Sequence, residues 1–317
     1  MTYAFVFPGQ GSQNVGMGKA LAETFSEARE VFDEVDDTLG QKLSTLMFEG
    51  PSDQLTLTEN AQPAIMAASM AVIRVLEKQG KVQLDRSAQF VAGHSLGEYA
   101  ALCAAGSLSL GDTARLLRIR GRAMQKAVAA GDGGMVALIA PDLDRALVQA
   151  VLAEASQGDV CVLANDNSPD QVVISGAAAA LDRAVEAAKA KGIKRCIKLD
   201  VSAPFHSPLM QPAAEAMRVA LEETILRSPS VPVVANVTAQ PVVDPDVIRA
   251  LLVEQVTSSV RWRESVLYMK EKGVRNFVEC GEGKVLCGLA RRIDRDLLSN
   301  ALSSPDDIEA FLKGFSA

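Results

Sequence analysis

The chain has 317 residues, of which 48% are apolar, a composition that can bury a large core and is not typical of a disordered protein. A formal net charge of −7 argues against nucleic-acid binding, which needs a basic field to neutralise phosphates. No apolar run resembles a secretory signal or is long enough to span a bilayer, so we expect a cytoplasmic protein without membrane contact.

Strand-like apolar runs alternate with longer helical patterns along most of the chain. This alternation predicts an α/β protein with a mainly parallel sheet. The predicted elements outside the middle of the chain are strands over 4–7, 89–92, 231–237 and 276–280, and helices over 98–105 and up to Arg292.

The middle of the chain follows a different pattern. It predicts strands over 135–140, 160–164, 171–175 and 194–201, helices over 142–155 and 177–191, and a polar turn at 165–169. The resulting order, βαββαβ, is typical of a ferredoxin-like unit. We therefore predict a small ferredoxin-like domain, 130–201, inserted into a larger α/β domain formed by 1–129 and 202–317. A cleft between the two would be a natural ligand site.

Residues 93–97 read G-H-S-L-G, a G-x-S-x-G sequence with a predicted strand before it and a predicted helix after it. That context is typical of a nucleophile elbow, in which a sharp turn exposes the hydroxyl of the central serine, Ser95. Glycines are needed on both sides because side chains there would collide with neighbouring backbone. The alternative is an ordinary glycine-rich turn between a strand and a helix.

A serine hydroxyl needs a base to take its proton, and histidine is the usual one. The chain contains only His94 and His206. His94 is adjacent to Ser95, so the turn should direct its ring away from the hydroxyl. His206 follows the predicted insert, where the chain returns to the larger domain, and it is the candidate base. A lone histidine is more often structural, but no other residue of this type remains.

No aspartate stands out as a third member of a triad, and a backbone carbonyl or an amide can orient the imidazole instead. The oxyanion that forms on the acyl carbon needs two donors. The N–H of Leu96 is one candidate, and a backbone donor from the turn at 9–11 is the second. The alternative for that turn is a phosphate-binding loop, although it has neither a G-K-[ST] ending nor a G-x-G-x-x-G spacing.

An arginine-rich helix is predicted after residue 110. Arg118, Arg122 and Lys126 share one face at four-residue spacing, whereas Arg120 is turned towards the apolar side. An arginine placed there needs an anion. It could form an internal salt bridge, or it could bind a substrate carboxylate through its planar fork.

The five cysteines form no C-x-x-C pair, and with two histidines in the chain we expect no metal site. An odd number of cysteines without a secretion signal fits reduced thiols in a cytoplasm. We interpret all five as small buried side chains.

Taken together, these motifs and their order resemble one enzyme family. The segments are 7–13, 93–99, Arg120-Gly121, 203–207 and 255–262, and the similarity continues to residue 286. The chain resembles the malonyl-CoA:acyl carrier protein transacylases of bacterial type II fatty acid synthesis. That family has a hydrolase-like α/β domain carrying a ferredoxin-like insert.

The resemblance implies roles for individual residues. Ser95 would carry the malonyl ester, and His206 would act as base and then as acid. Arg120 would bind the malonyl carboxylate. The backbone N–H groups of Gln10 and Leu96 would form the oxyanion hole. The main-chain carbonyl of Gln255 would orient His206. A further match, Asn165, would line the cleft.

The substrates implied are malonyl-CoA and a phosphopantetheine-bearing acyl carrier protein, without a cofactor and with the protein expected to be a monomer. An acidic carrier would dock on a basic patch, and ordinary solvated surface charge is the alternative. The candidates are Lys189, Lys191, Lys194, Arg195 and Lys198 at one edge of the small domain, and Arg291-Arg292 near the C-terminus. Fatty acid and polyketide synthesis both use such an enzyme, so the pathway stays open. A serine esterase or phospholipase, and a non-catalytic carrier-binding module, are the alternatives.

Overall fold

The computed structural model describes residues 2–129, 131–201 and 203–315. Within this part of the chain, ten strands form two separate sheets surrounded by helices. Ala130 and Ser202, which bound the predicted insert, lie outside the described residues. The division into 130–201 and two flanking halves therefore stays a prediction.

The first part of the chain supplies two neighbouring strands and a large helical layer. Its elements are β1 (Tyr3–Phe7), α1 (Lys19–Thr24), α2 (Ser26–Leu39), α3 (Leu43–Glu49), α4 (Ser52–Thr56), α5 (Thr58–Gln79), α6 (Leu84–Ser87), β2 (Ala88–Gly93), α7 (Gly97–Ala104) and α8 (Leu110–Lys126). Helix α5 is almost entirely buried, and it packs against α2, α7 and α8.

The remaining elements complete both sheets. They are β3 (Gly133–Ile139), α9 (Arg145–Ser156), β4 (Cys161–Ser168), β5 (Gln171–Ala177), α10 (Ala178–Ala190), β6 (Arg195–Lys198), α11 (Gln211–Glu222), β7 (Val233–Val234), β8 (Pro241–Val242), α12 (Pro245–Gln255), α13 (Trp262–Glu271), β9 (Asn276–Cys280), α14 (Val285–Ile293), β10 (Leu298–Leu302) and α15 (Pro305–Gly314). A short 3₁₀ helix, Pro208–Met210, precedes α11.

The larger sheet has the strand order β10-β9-β1-β2-β7-β8, with every pair parallel except β7 and β8. Its central strands are buried on both faces, as parallel sheets require. On β1, Phe5 and Phe7 pack into one hydrophobic cluster, whereas Ala4 and Val6 pack into another. The alternation follows from the two-residue period of a strand.

The smaller sheet is antiparallel, with the order β4-β5-β3-β6. Helices α9 and α10 cover it and share with it a separate apolar cluster. Its elements occur in the chain order βαββαβ, which confirms the predicted ferredoxin-like unit, and the larger sheet confirms the predicted α/β class.

Two predicted strand boundaries in the sequence are wrong. The strand expected over 231–237 is limited to Val233–Val234, because the chain then turns and the N–H of Ala235 bonds to the carbonyl of Gln240. The turn expected over 165–169 is mostly strand. Strand β4 continues to Ser168 through two irregularities, since 165–168 pair with 171–173 of β5, and the backbone at Asn165 also bridges to Val260.

Other expectations differ in smaller ways. The helix predicted from 142 begins at Arg145, where the Asp144 side chain caps it, and the strand predicted over 194–201 is limited to Arg195–Lys198. Of the five cysteines, Cys196 and Cys287 are partly exposed, so the expectation that all five are buried is wrong. None of the helices in the described ranges combines the length and apolar character that crossing a bilayer requires.

Candidate active site

Ser95 lies on a sharp turn between the end of β2 and the start of α7. Its backbone is left-handed, with φ of 54°, the strained geometry of a nucleophile elbow. The flanking glycines are required by close packing: a Cβ on Gly93 would lie 1.9 Å from the Gly97 backbone, and one on Gly97 would lie 2.2 Å from the Phe7 carbonyl oxygen. The turn can therefore form only with glycine at both positions.

His206 contacts the serine directly. Its Nε2 lies 2.8 Å from Ser95 Oγ, and its Nδ1 lies 2.9 Å from the main-chain oxygen of Gln255. A carbonyl oxygen only accepts hydrogen bonds, so Nδ1 must carry the proton and Nε2 is left to accept the one on Ser95. His206 is itself in a left-handed conformation, with φ of 56°.

The imidazole of His206 is held in its neutral form. Burial, reinforced by the positive charge of Arg120, lowers its pKa to about 3. At neutral pH the ring is therefore unprotonated at Nε2 and able to take a proton from Ser95.

Arg120 extends from α8 into the same site and is 1% exposed. Its Nη2 donates to Ser95 Oγ at 3.1 Å and to Gln255 Oε1 at 2.9 Å, and its Nη1 donates to Gln62 Oε1 at 2.9 Å. Its guanidinium also lies over the ring of Tyr99, 5.7 Å from the centroid. Burial lowers the pKa of Arg120, but arginine remains charged at neutral pH.

The partners of Arg120 are all uncharged. Within the described residues no carboxylate forms an ion pair with it. Of the two interpretations of Arg120, the internal salt bridge is therefore not found among these residues. On the basic stripe of α8, Glu59 lies 2.7 Å from Arg122 and 3.8 Å from Arg118, so one carboxylate pairs with two of its three basic residues. Arg120 is thus a buried cation that can still bind an anion.

The N–H groups of Gln10 and Leu96 are available for an oxyanion. Gln10 follows β1 and Leu96 follows Ser95, so neighbouring parallel strands bring both to one edge of the sheet. No acceptor for either backbone N–H is found in the described part of the chain. Both residues line the cavity that Ser95 faces.

That cavity has a volume of about 270 Å³, and it is lined by residues from the larger unit and from the smaller one. Ser95, His206, Arg120, Gln10 and Leu96 all line it, so the structure brings these predicted site residues together. The predicted insert contributes two polar residues, Asn165 and Asp200, and several of the apolar walls, which are Met124, Met135, Leu199, Val201 and Phe205. The cavity thus combines apolar walls with a few convergent polar groups, as is typical of small-molecule sites.

Three further polar residues lie around the site, and none of them was predicted from the sequence: Gln62, Glu98 and Asn236. The Asn236 side chain spans the elbow, because its Oδ1 accepts from the Ser95 N–H at 2.8 Å and its Nδ2 donates to the Gly93 carbonyl at 2.7 Å. Gln62 contacts Arg120, and Glu98 is buried in the first turn of α7. Glu98 and Gln62 could have been found in the sequence as polar residues inside apolar runs, a pattern that indicates a buried polar group.

His94, the other histidine, points away from the serine. Its Nε2 lies 2.9 Å from Asn167 Oδ1, and its ring packs 5.7 Å from that of Trp262. His94 therefore contacts β4 of the smaller sheet through the Asn167 side chain.

Known proteins with similar sequences and structures are acyltransferases. Residues 4–287 match the family model of the acyl transferase domain. A malonyl CoA-acyl carrier protein transacylase of Bacillus subtilis is 46% identical over 96% of this chain and 95% of its own length.

Two solved structures are also similar. An acyl-carrier-protein S-malonyltransferase from Bartonella henselae has a TM-score of 0.96 and 56% identity, with 99% of each chain covered. A malonyl-transacylase in complex with its type II PKS acyl-carrier protein has a TM-score of 0.95 and 40% identity, covering 99% of this chain and all of the other.

Proposed function

Because this chain belongs to the malonyl-CoA:acyl carrier protein transacylase family of acyltransferases, we propose that it moves a malonyl group from coenzyme A to a carrier-protein thiol through an ester on Ser95. One observation carries the proposal. The Ser95 hydroxyl lies 2.8 Å from a neutral imidazole and 3.1 Å from a buried guanidinium with no carboxylate partner. The first contact supports nucleophilic attack, and the second supports choice of an acidic acyl group.

In the first half of the reaction, His206 Nε2 takes the proton of Ser95 as Oγ attacks the thioester carbon. The oxyanion that forms accepts hydrogen bonds from the N–H groups of Gln10 and Leu96. When this intermediate collapses, the carbon–sulfur bond breaks and His206 gives its proton to the departing thiolate of coenzyme A. The malonyl ester of Ser95 remains.

The second half repeats these steps in reverse with a new thiol. The phosphopantetheine thiol gives its proton to His206 and attacks the ester carbon, and Ser95 leaves with a proton returned by His206. Throughout, the Gln255 carbonyl keeps the Nδ1 proton in place, so Nε2 always faces the reacting atoms. The two half-reactions make a ping-pong mechanism.

Arg120 binds the free carboxylate of the malonyl group in this proposal. Its fork can present two N–H groups to the two carboxylate oxygens, and burial strengthens that contact because water does not compete. In the structure Arg120 Nη2 donates to Ser95 Oγ. Binding of a carboxylate would draw the guanidinium from the hydroxyl and leave that hydroxyl to His206.

The central test is the mass of the acyl-enzyme. Incubation with malonyl-CoA and no acceptor should add one malonyl group to the wild type and none to Ser95→Ala, as measured by intact-mass spectrometry. A hydrolase would instead release free malonate rapidly and accumulate no ester. An adduct on Ser95→Ala of the same mass would contradict the assignment of the nucleophile.

Arg120→Ala tests the clamp separately. We expect it to weaken binding of the malonyl transition state by about 2–5 kcal/mol. The rate of acetyl transfer should stay the same or rise, because an acetyl group has no carboxylate to bind. The measurement is kcat/KM for malonyl-CoA and for acetyl-CoA with the same carrier. An equal loss for both would show that Arg120 does not bind the carboxylate.

The partner in the second half-reaction would be an acyl carrier protein, as in the similar transacylase that was solved with its carrier. A cytoplasmic location fits this substrate pair and is part of the proposal. Of the candidate docking lysines, Lys189 lies 3.0 Å from Glu186 and Lys191 lies 2.9 Å from Glu154. Only part of that basic patch is therefore free to meet an acidic carrier.

A further inference from the structure

Glu98 is a fully buried carboxylate with no part in the steps above. It lies in the first turn of α7, three residues after Ser95, and is 2% exposed. Its Oε2 accepts from Gln255 Nε2 at 2.7 Å and from the backbone N–H of Asn236 at 3.1 Å. The other end of the Gln255 amide, Oε1, accepts from Arg120. One side-chain amide thus joins the buried anion to the buried cation.

We propose that Glu98 is a positioning residue for acyl-group selection: it fixes the orientation of the Gln255 amide and, through it, one arm of the Arg120 guanidinium. The inference rests on the proposed role of Arg120 as the carboxylate clamp. It assigns Glu98 an effect on which acyl group is accepted rather than on the reactivity of Ser95.

The direction of the Gln255 amide follows from the hydrogen-bonding chemistry of its neighbours. An ionised carboxylate only accepts hydrogen bonds, so Gln255 must present its NH₂ group to Glu98. A guanidinium only donates, so the remaining oxygen must face Arg120. Rotating the amide by 180° would set donor against donor and acceptor against acceptor. Glu98 therefore fixes one orientation of Gln255 together with the Ser95 carbonyl oxygen, which accepts from the same Nε2 at 3.0 Å.

The charge of Glu98 also suits this position. Among the residues that the structure describes, no carboxylate contacts Arg120 directly, yet a buried cation is unstable without a nearby anion. Glu98 supplies that anion from the far side of Gln255, so it stabilises the guanidinium without occupying the nitrogens that a substrate would use. Burial raises the pKa of Glu98 to about 7, while the hydrogen bonds from Gln255 and Asn236 and the charge of Arg120 oppose that rise. This arrangement is that of the ionised carboxyl, which predominates above this pH.

Burial of a carboxylate in the first turn of α7 needs such an explanation. Desolvation disfavours the charged form, and an apolar residue of similar size would avoid the penalty. The position of Glu98 near the helix N-terminus favours a negative charge, but it does not specify which neighbours the carboxylate contacts. The contacts to Gln255 and Asn236 account for where the carboxylate points.

The test compares malonyl with acetyl transfer in Glu98→Gln. The glutamine keeps the size and an acceptor oxygen but removes the charge and can rotate. We expect the ratio of kcat/KM for malonyl-CoA to that for acetyl-CoA to fall about tenfold, because one charge-assisted contact to the clamp is loosened. Rates of acyl-enzyme formation, followed by rapid quench and intact mass, provide both values.

Glu279→Gln is the matched control. Glu279 is also a fully buried carboxylate, but it caps α14 through the N–H groups of Leu286 and Cys287 and is not part of the site. Its neutralisation should leave the malonyl-to-acetyl ratio unchanged. If Glu279→Gln altered the ratio as much as Glu98→Gln, loss of a buried charge anywhere would explain the result, and the proposal would be wrong.

Three outcomes with Glu98→Gln would overturn the inference. An equal fall for both acyl groups would make Glu98 merely structural. A higher ratio would make it a charge that repels the substrate carboxylate. An unchanged ratio would show that Glu98 has no part in acyl-group selection. If Arg120→Ala still lost malonyl selectivity, the role of Arg120 would stand. If Arg120→Ala itself kept the ratio, the proposed function of Arg120 would fail instead.

Gln255→Met is a second variant for the case in which Glu98→Gln does not fold. It removes the amide that joins the two charges and keeps the main-chain carbonyl that contacts His206. The lost contact to the Ser95 carbonyl oxygen should affect both acyl groups alike, so the ratio reports on the connection between the charges. We expect the same fall in the ratio, and no further fall in the double variant, because both changes break one connection. Additive losses, or a normal ratio in Gln255→Met, would contradict the proposal.

Discussion

The two sheets of this molecule bury different kinds of side chain. The cluster under the smaller sheet is apolar throughout, with Leu138, Val148 and Ile174 among its members. At one edge of the larger sheet, Glu98 and Arg120 are buried as charged groups. Buried charge and strained backbone destabilise a fold, so their presence near Ser95 indicates that this edge is shaped by chemistry and the smaller core by stability.

The smaller unit is polar inside mainly where it meets the larger one. Residues 165–168 are buried, and Asp166 accepts hydrogen bonds from Arg263 of α13 and from Arg145. The backbone of the same segment pairs with Val260. Buried polar groups thus mark the contact between the units as well as the reactive edge, and four changes test how far the two regions are separate.

The largest expected effect is on stability. Leu138→Ala should lower the free energy of unfolding by about 3 kcal/mol, because it leaves a cavity in a fully buried strand. The rate of malonyl-enzyme formation should not change while the protein stays folded. Urea denaturation and a single-turnover assay measure the two effects. A slower reaction in the folded variant would show that the smaller core also shapes the active site.

Asn236→Ala, in contrast to Leu138→Ala, should change the rate of the reaction more than the stability of the fold. The amide of Asn236 holds both ends of the turn that carries Ser95, so its loss should misplace the hydroxyl for any acyl group. We expect acyl-enzyme formation to fall about 100-fold with malonyl-CoA and with acetyl-CoA alike. Leu138→Ala serves as a destabilised but active control. A selective loss with malonyl-CoA would place Asn236 with the clamp instead of the elbow.

The third prediction concerns pH. Only neutral His206 can accept the proton, and its lowered pKa of about 3 keeps wild-type acetyl-enzyme formation from falling until the pH is well below the usual range of a histidine. Burial is the larger cause and Arg120 the second, so Arg120→Met should raise the pKa of His206. The acid limb of its pH–rate profile should move to higher pH. An unmoved limb would show that Arg120 does not act on His206 electrostatically.

The smallest effect is expected at the surface. Replacing Lys189, Lys191 and Lys194 together by glutamate should raise KM for an acidic carrier about threefold, since exposed charges contribute little individually and two of these are already paired. The rate of acyl-enzyme formation from malonyl-CoA should stay the same. If both changed equally, the patch would not be a carrier-docking site.

Much of the fold and of the site could be predicted because the informative residues carry local signals. Glycines at 93 and 97 can be recognised from sequence, since only glycine fits the close approach between β2, α7 and β1. Two histidines in the whole chain limited the choice of base to His206. The strand at 233–234 was overestimated because hydrophobic runs do not record where the chain turns.

Glu98, Asn236 and Gln62 could not be assigned in this way. Each acts through a partner far away in sequence, as when Asn236 bonds to Ser95 across 141 positions. Local periodicity contains no information about such pairs. The segment at 165–168 is a different case: its polar residues are typical of a turn, yet they pair with 171–173 of β5 in a tight hairpin.

The sequence by itself determined the α/β class and the βαββαβ unit, and it singled out the candidate nucleophile and its candidate base, because these depend on residue type and short-range spacing. Within the described residues, the tertiary structure alone decided that Arg120 has no carboxylate partner and that an amide links it to Glu98. The physical reason is that the protonation and orientation of a buried polar group depend on every neighbour that replaces water, and those neighbours come from separate parts of the chain.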